Sequence, residues 1–310
     1  MNDLPTYKYR SLTSAIDTAS PLREYFNGQF PYLKEVQSAY QTPPRPLLVE
    51  GGAGNPGTIG AAFDFVVRMV LDPTYTADLA LMGFSRAPEQ IAVMRQVVEV
   101  AQQAAGCRDG EAPEELLRAC WALALRVEVY RTGAVAPGSP LAPLMARGTF
   151  SPSDLLAIAS DEVVGELGRL HAVVCAHLYP AMPYPAQRIA IGPTFAASRL
   201  CAADADLIVD GLLLEVKTHQ GRKNKTTGAR TDSVSLPDIY QLLGYVLFDH
   251  SDEYAIDSVG YYSGRYGSLT TWPLDAFLDS LAGRPVDVAA AREQVWDLLS
   301  RGQTSALRAR

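Results

Sequence analysis

Cysteine and histidine are scarce: a chain of 310 residues holds four of each. Cys107, Cys120, Cys175 and Cys201 are scattered, with no CxxC or Cys/His spacing, which argues against a zinc site or a disulfide framework. Reduced thiols in a cytoplasmic protein are the expectation. No apolar run approaches the length of a bilayer span, and the opening residues MNDLPTYKYRSL lack the apolar stretch of a signal peptide, so no membrane partner is expected. Basic residues are outnumbered, 27 Lys and Arg against 34 Asp and Glu, for a net charge of -7. Whole-molecule electrostatics therefore do not draw polyanions, and any nucleic-acid contact has to come from a local basic patch. Internal repeats and low-complexity segments are absent. So is a G-x-S-x-G nucleophile elbow, which leaves Asp249-His250-Ser251 as a loop rather than a hydrolase fragment. GGAGNPGT at 51–58 has the spacing of a phosphate-binding loop without its lysine, and a turn followed by a helix N-cap accounts for it.

What is present is an ordinary globular composition, 48% hydrophobic and 20% charged. Residues 1–41 read as broken helical pieces, and a Pro/Gly-rich loop follows. An amphipathic helix at 58–71 places Ile59, Phe63, Val66, Val67 and Val70 on one face. Helices at 87–106 and 113–132, a Pro/Gly-rich joint at 132–144 and a helix at 152–178 come next. The pattern then changes to β-like runs at 187–195, 205–209 and 212–218, a helix at 236–249, and strands at 256–263 and 268–273. A last helix near 287–301 precedes a basic tail with Arg308 and Arg310. The reading is α/β: a helical region over 1–150, and a mixed-sheet core of order α-β-β-β-α-β-β over 151–310 that includes the C-terminal helix. Helix 58–71 belongs either to the helical region or to that core.

The stretch AADADLIVDGLLLEVKTH at 202–219 raises the central question, because acids and a base interrupt an otherwise apolar hairpin. Asp210-Gly211 between two apolar runs predicts a two-residue type I′ turn. In that register Val209 faces Leu212, Asp206 faces Glu215, and Asp204 faces Lys217. Alternation then puts these four charged residues on one face, and Leu207, Val209, Leu214 and Val216 on the other. Carboxylates directly opposed across a hairpin lie about 5 Å apart at Cβ and repel. A divalent cation offsets that repulsion, and two carboxylates suit Mg²⁺ or Mn²⁺. The Val216 backbone carbonyl is the expected third ligand, and Lys217 is placed to polarise an attacking water. The alternative is a solvated face with surface pairs to Lys217.

After Lys217 comes the polar loop THQGRKNKTTGARTD, where Arg222, Lys223, Lys225 and Arg230 meet one acid, Asp232. A flexible cationic loop of this kind can neutralise phosphates locally. The next helix opens with Ser235 as N-cap, Pro237 in the first turn and Asp238 at the capping-box position. Four residues apart within it, Gln241 and Tyr245 share one face.

Together, Asp206, Glu215-Val216-Lys217 and Gln241-x-x-x-Tyr245 resemble the PD-(D/E)XK nuclease superfamily, particularly its RecB-like and lambda-exonuclease-like branch, over residues 152–275. The resemblance implies a restriction-endonuclease-like αβββαβ core in which Asp206 and Glu215 bind Mg²⁺, Lys217 assists the attacking water, and Gln241 and Tyr245 line the DNA path. Asp204 replaces Asp206 if the register differs. RecB-like members carry an upstream G-x-x-x-H helix whose histidine contributes to the metal site, which makes Asp64 the favoured further ligand and His171 the other candidate. Here GAAFD supplies Gly60 and Asp64 at that spacing, while GRLH supplies Gly168 and His171 one residue short. The bland role of Asp64 is a surface pair with Arg68.

The function expected is a divalent-metal-dependent nuclease acting on DNA or RNA, with the helical region shaping access or binding a protein partner. The rivals are a non-catalytic nucleic-acid-binding or assembly subunit and a hydrolase of small phosphoesters.

Overall fold

Asp210 and Gly211 adopt φ of 47° and 91°, the two positive values a type I′ turn demands, and Leu207↔Leu214 and Val209↔Leu212 pair in the predicted register. The Asp210 carboxylate accepts from the Gln187 and Arg188 amides, which ties the turn to the strand before it. The computed structural model describes residues 11–17, 19–41, 45–82, 88–106, 110–182 and 186–307. Cys107, Arg308 and Arg310 lie outside them.

The first described elements are α1 (Leu12–Asp17), α2 (Pro21–Gln29), α3 (Leu33–Gln41), α4 (Pro56–Leu71), α5 (Asp78–Met82), α6 (Pro88–Ala104), α7 (Glu114–Thr132), α8 (Ala142–Arg147), α9 (Pro152–Ala157) and α10 (Asp161–His177). Three strands follow, β1 (Ile189–Ile191), β2 (Leu207–Val209) and β3 (Leu212–Lys217). A small hairpin, β4 (Arg222–Lys223) and β5 (Arg230–Thr231), leads to α11 (Leu236–Phe248). The chain ends with β6 (Ser258–Ser263), β7 (Ser268–Pro273), α12 (Leu274–Ala282) and α13 (Val288–Leu307). The main sheet has the order β1-β2-β3-β6-β7, with β3 and β6 parallel and the other neighbours antiparallel. This is a mixed α/β protein built on a five-stranded mixed sheet. No helix among the described residues is long and apolar enough to cross a membrane.

Side-chain alternation sorts the two cores. Leu207, Val209, Leu214 and Tyr262 face the layer of α4, α6, α7 and α10, while Ile208, Leu213, Val259 and Tyr261 face α1–α3 and α11–α13. The residues before 150 thus divide between both faces. Helix α11 is buried on nearly every side, and its Ser235/Asp238 capping box forms as its sequence predicts. Burying side chains such as Leu243, Val246, Leu247 and Phe248 stabilises the fold by roughly 1.5–3 kcal/mol each. Gly244 admits Leu12 of α1, since a Cβ there would come within 2.6 Å of it.

Several expectations need correction. The helix predicted at 152–178 is interrupted, because Ser160 caps a new helix by accepting from the Val163 amide. The strand predicted at 187–195 shortens to β1. Helix α12 was not anticipated, although Leu274, Phe277, Leu278 and Leu281 carry a helical period ended by Gly283 in the left-handed region. The cationic segment after Lys217 is not a plain loop, for Arg222↔Thr231 and Lys223↔Arg230 pair it into a hairpin.

Candidate functional site

The β2–β3 ladder stops at Leu207↔Leu214, and here the extended register fails. Asp204 lies opposite Thr194 rather than Lys217, and the Asp206 carbonyl accepts from the Gly192 amide. The segment before β2 has turned to pair with residues 192–194. Asp206 nevertheless keeps contact with β3 through its side chain, because Oδ2 accepts from the Val216 amide at 2.7 Å. Asp204 is therefore not the hairpin partner of Lys217, and Asp206 is the acid joined to the Glu215–Lys217 strand.

In the parallel ladder the Gly264 amide donates to the Lys217 carbonyl, so the main-chain groups of Lys217 point toward β6. Those of Val216 point the other way, toward Asp206. The Val216 carbonyl stands on the edge where the sequence places a ligand.

Glu215 is 1% exposed. Its Oε1 pairs with Lys217 Nζ, while its buried Oε2 meets no hydrogen-bond donor among the described residues. Lys217 Nζ also donates to Gln241 Oε1 at 3.0 Å, and Gln241 Nε2 donates to the Tyr245 hydroxyl at 2.5 Å. The capped α11 thus delivers an amide that reads Lys217 with one end and Tyr245 with the other. Tyr245 also stacks on Phe195, 5.6 Å between ring centroids.

Helix α4 contributes from the other layer. Asn55 caps it by accepting from the Gly57 and Thr58 amides, so GGAGNPGT is the turn and cap that its missing lysine suggests. Asp64 Oδ1 pairs with Arg68 Nε at 2.8 Å, and Arg68 Nη2 lies 3.6 Å from Asp206 Oδ1. This is not the surface pair expected of Asp64 and Arg68, because the Arg68 side chain is only 6% exposed. Arg68 and Tyr75, whose hydroxyl accepts from Arg68 Nη1 at 3.3 Å, went unread as parts of the site. The i,i+4 spacing from Asp64 was the only local signal for Arg68. The other upstream candidate, His171, is wholly buried in α10, where it meets Cys175 and Tyr179 rather than the carboxylates. Burial lowers its pKa.

The electrostatics follow from crowding acids in a buried place. Burial, reinforced by Glu215 and Asp64, lifts the Asp206 carboxyl well above the usual carboxylate range, against Lys217 and Arg68. Burial also raises Glu215, against the pull of Lys217. For Lys217 burial acts downward, but Glu215 and Asp206 hold it above its ordinary value, so it stays an ammonium. Burial, then Glu215 and Asp206, push Tyr245 well above a normal phenol.

Arg222, Lys223 and Lys225 stand exposed on the hairpin beyond Lys217, whereas Arg230 is half-buried and donates to the Gly221 carbonyl. Among the described residues, no three His, Cys, Asp or Glu side chains gather closely enough to hold an ion. The donor set for a cation is instead two carboxylates and a main-chain carbonyl: Asp206, Glu215 and Val216. That set suits a hard divalent ion, and the undonated Glu215 Oε2 is the atom such an ion would satisfy. No family model, curated protein or solved structure matches the chain.

Proposed function

We propose that the protein is a divalent-metal-dependent nuclease hydrolysing phosphodiester bonds of DNA, with the restriction-endonuclease-like core that the D…ExK and Q-x-x-x-Y residues resemble. The observation that carries this reading is the buried Glu215 Oε2, which meets no donor among the described residues, beside an Asp206 carboxylate anchored to the same strand. Most buried side-chain polar atoms find a partner, so an open carboxylate oxygen at that depth suits a ligand. Asp206, Glu215 and the Val216 carbonyl would hold Mg²⁺ or Mn²⁺. The bound ion supplies Lewis acidity at the scissile phosphate and makes water a better nucleophile.

The chain's own groups perform the rest. Lys217 remains protonated at Nζ, and contacts to Glu215 and Gln241 fix its direction. It positions the attacking water and offsets charge developing on the phosphate oxygens. Because the Tyr245 oxygen accepts from Gln241, its own hydrogen remains to donate toward the substrate backbone. The exposed cations of the β4–β5 hairpin make up the local basic patch that an acidic protein needs to hold a polyanion. The layer of α5–α9 shapes access or receives a protein partner.

The test is cleavage of labelled linear and circular DNA in Mg²⁺, Mn²⁺ or EDTA. Wild type should cut only with a cation, and Lys217→Ala should lose on the order of 10²–10³-fold. A folded protein that binds DNA without cutting it in any condition would instead be a binding subunit.

A further inference from the structure

Among the described residues, Arg68 is the one cation from outside the hairpin that reaches Asp206, and its setting is built. Its guanidinium is almost fully buried, joins Asp64 at 2.8 Å, approaches Asp206 Oδ1 at 3.6 Å and contacts the Tyr75 hydroxyl. Gly192 makes room for it: a Cβ at that position would come within 2.2 Å of Arg68 Nη1, and φ there is +60°. The same Gly192 amide holds the Asp206 carbonyl. The chain thus places a guanidinium on the Asp206 oxygen that Val216 does not use.

The charges explain why. Glu215 and Asp64 both act on the Asp206 carboxyl through space, and Lys217 answers Glu215. Without Arg68, Asp64 would lose its ion-pair partner and Asp206 would be left to Lys217 in a poorly solvated place, at a cost that grows as the dielectric falls. A divalent ion entering between Asp206 and Glu215 therefore shares Asp206 Oδ1 with a guanidinium, and the two positive charges repel.

We propose that Arg68 is a built-in competitor for the metal, a counter-ion that holds Asp206 in the cation-free protein and weakens cation binding when an ion shares that carboxylate. This rests on the reading of Asp206 and Glu215 as the metal ligands. The consequence runs against the usual outcome of removing a residue from a site: removing Arg68 should improve binding.

Calorimetric titration with Mn²⁺ alone, in the absence of nucleic acid, tests it on wild type, Arg68→Met, Arg68→Lys and Asp206→Asn. Arg68→Met should bind Mn²⁺ about tenfold more tightly than wild type, because a like charge has been removed. Arg68→Lys keeps the charge and should stay near wild type, and Asp206→Asn should lose the binding. Equal or weaker binding by Arg68→Met would overturn the proposal and leave the metal site standing. Binding by neither wild type nor Arg68→Met would overturn both. Should Arg68→Met fail to fold, Arg68→Gln, which removes the charge but keeps a polar side chain, must tighten binding in its place, and unchanged or weaker binding there counts against the proposal equally.

Discussion

Two charged clusters flank the end of β3, and they are built on opposite principles. In one, Arg265 is 1% exposed and every arm is engaged: Nε donates to the Thr218 carbonyl, Nη1 to the Val49 carbonyl and Nη2 to Glu166 Oε1. The second oxygen of Glu166 accepts from the Gly52 amide at 2.8 Å. This cluster ties α10, the loop before α4 and the end of β3 together, and leaves nothing to bind. In the other cluster, Asp206 meets the Val216 amide with one oxygen and Arg68 with the other, whereas Glu215 commits only Oε1 and its Oε2 meets no donor among the described residues. The first cluster is satisfied on all sides; the second keeps an open carboxylate oxygen that a ligand can use.

That contrast breaks most visibly at Arg265. Arg265→Met leaves Glu166 buried and unpaired and should cost about 3–5 kcal/mol, read as a fall in urea midpoint at unchanged m. The other cluster should respond to ligand. Mg²⁺ at a hundredfold its Kd should stabilise wild type by about 2.7 kcal/mol, a gain that disappears in Asp206→Asn. Glu215→Gln sharpens the comparison: without a cation it should cost on the order of 1–3 kcal/mol, less than Arg265→Met because its amide oxygen still accepts from Lys217 and Asp206 still acts on that ammonium. The loss of cutting that accompanies it would mark the acid as retained for function.

The smallest effect concerns His171, on the same helix as Glu166. Its folded pKa lies below the ordinary value of 6.5, so it contributes no penalty above that pH, where it is neutral folded or unfolded. As pH falls past 6.5 the unfolded chain takes up the proton first, and stability is lost down toward the folded pKa. His171→Leu should flatten that part of a stability-versus-pH curve. An unchanged slope would remove His171 as its source.

How much of this was legible depended on range. The Asp210-Gly211 turn, the Ser235/Asp238 box and the Gln241/Tyr245 face are local patterns, and each formed as read. Asp204 was misplaced because the extrapolated register assumed that the β2–β3 ladder persists past Leu207, whereas there the Asp206 side chain takes the Val216 amide. The β4–β5 hairpin has no apolar alternation to announce it. Arg265 and Glu166 are 99 residues apart in the chain, and Arg68 meets Asp206 across two layers, so only the folded protein brings them together. The acids were readable because they violated a strand pattern. Their counter-ion was not, because an arginine four residues after an aspartate is ordinary helix chemistry.

The most direct test of the central claim is anomalous scattering from crystals soaked in Mn²⁺. The account predicts a peak within coordination distance of Asp206, Glu215 and the Val216 carbonyl. No peak there in crystals whose protein cuts DNA in Mn²⁺, or a peak coordinated by other residues, would contradict it.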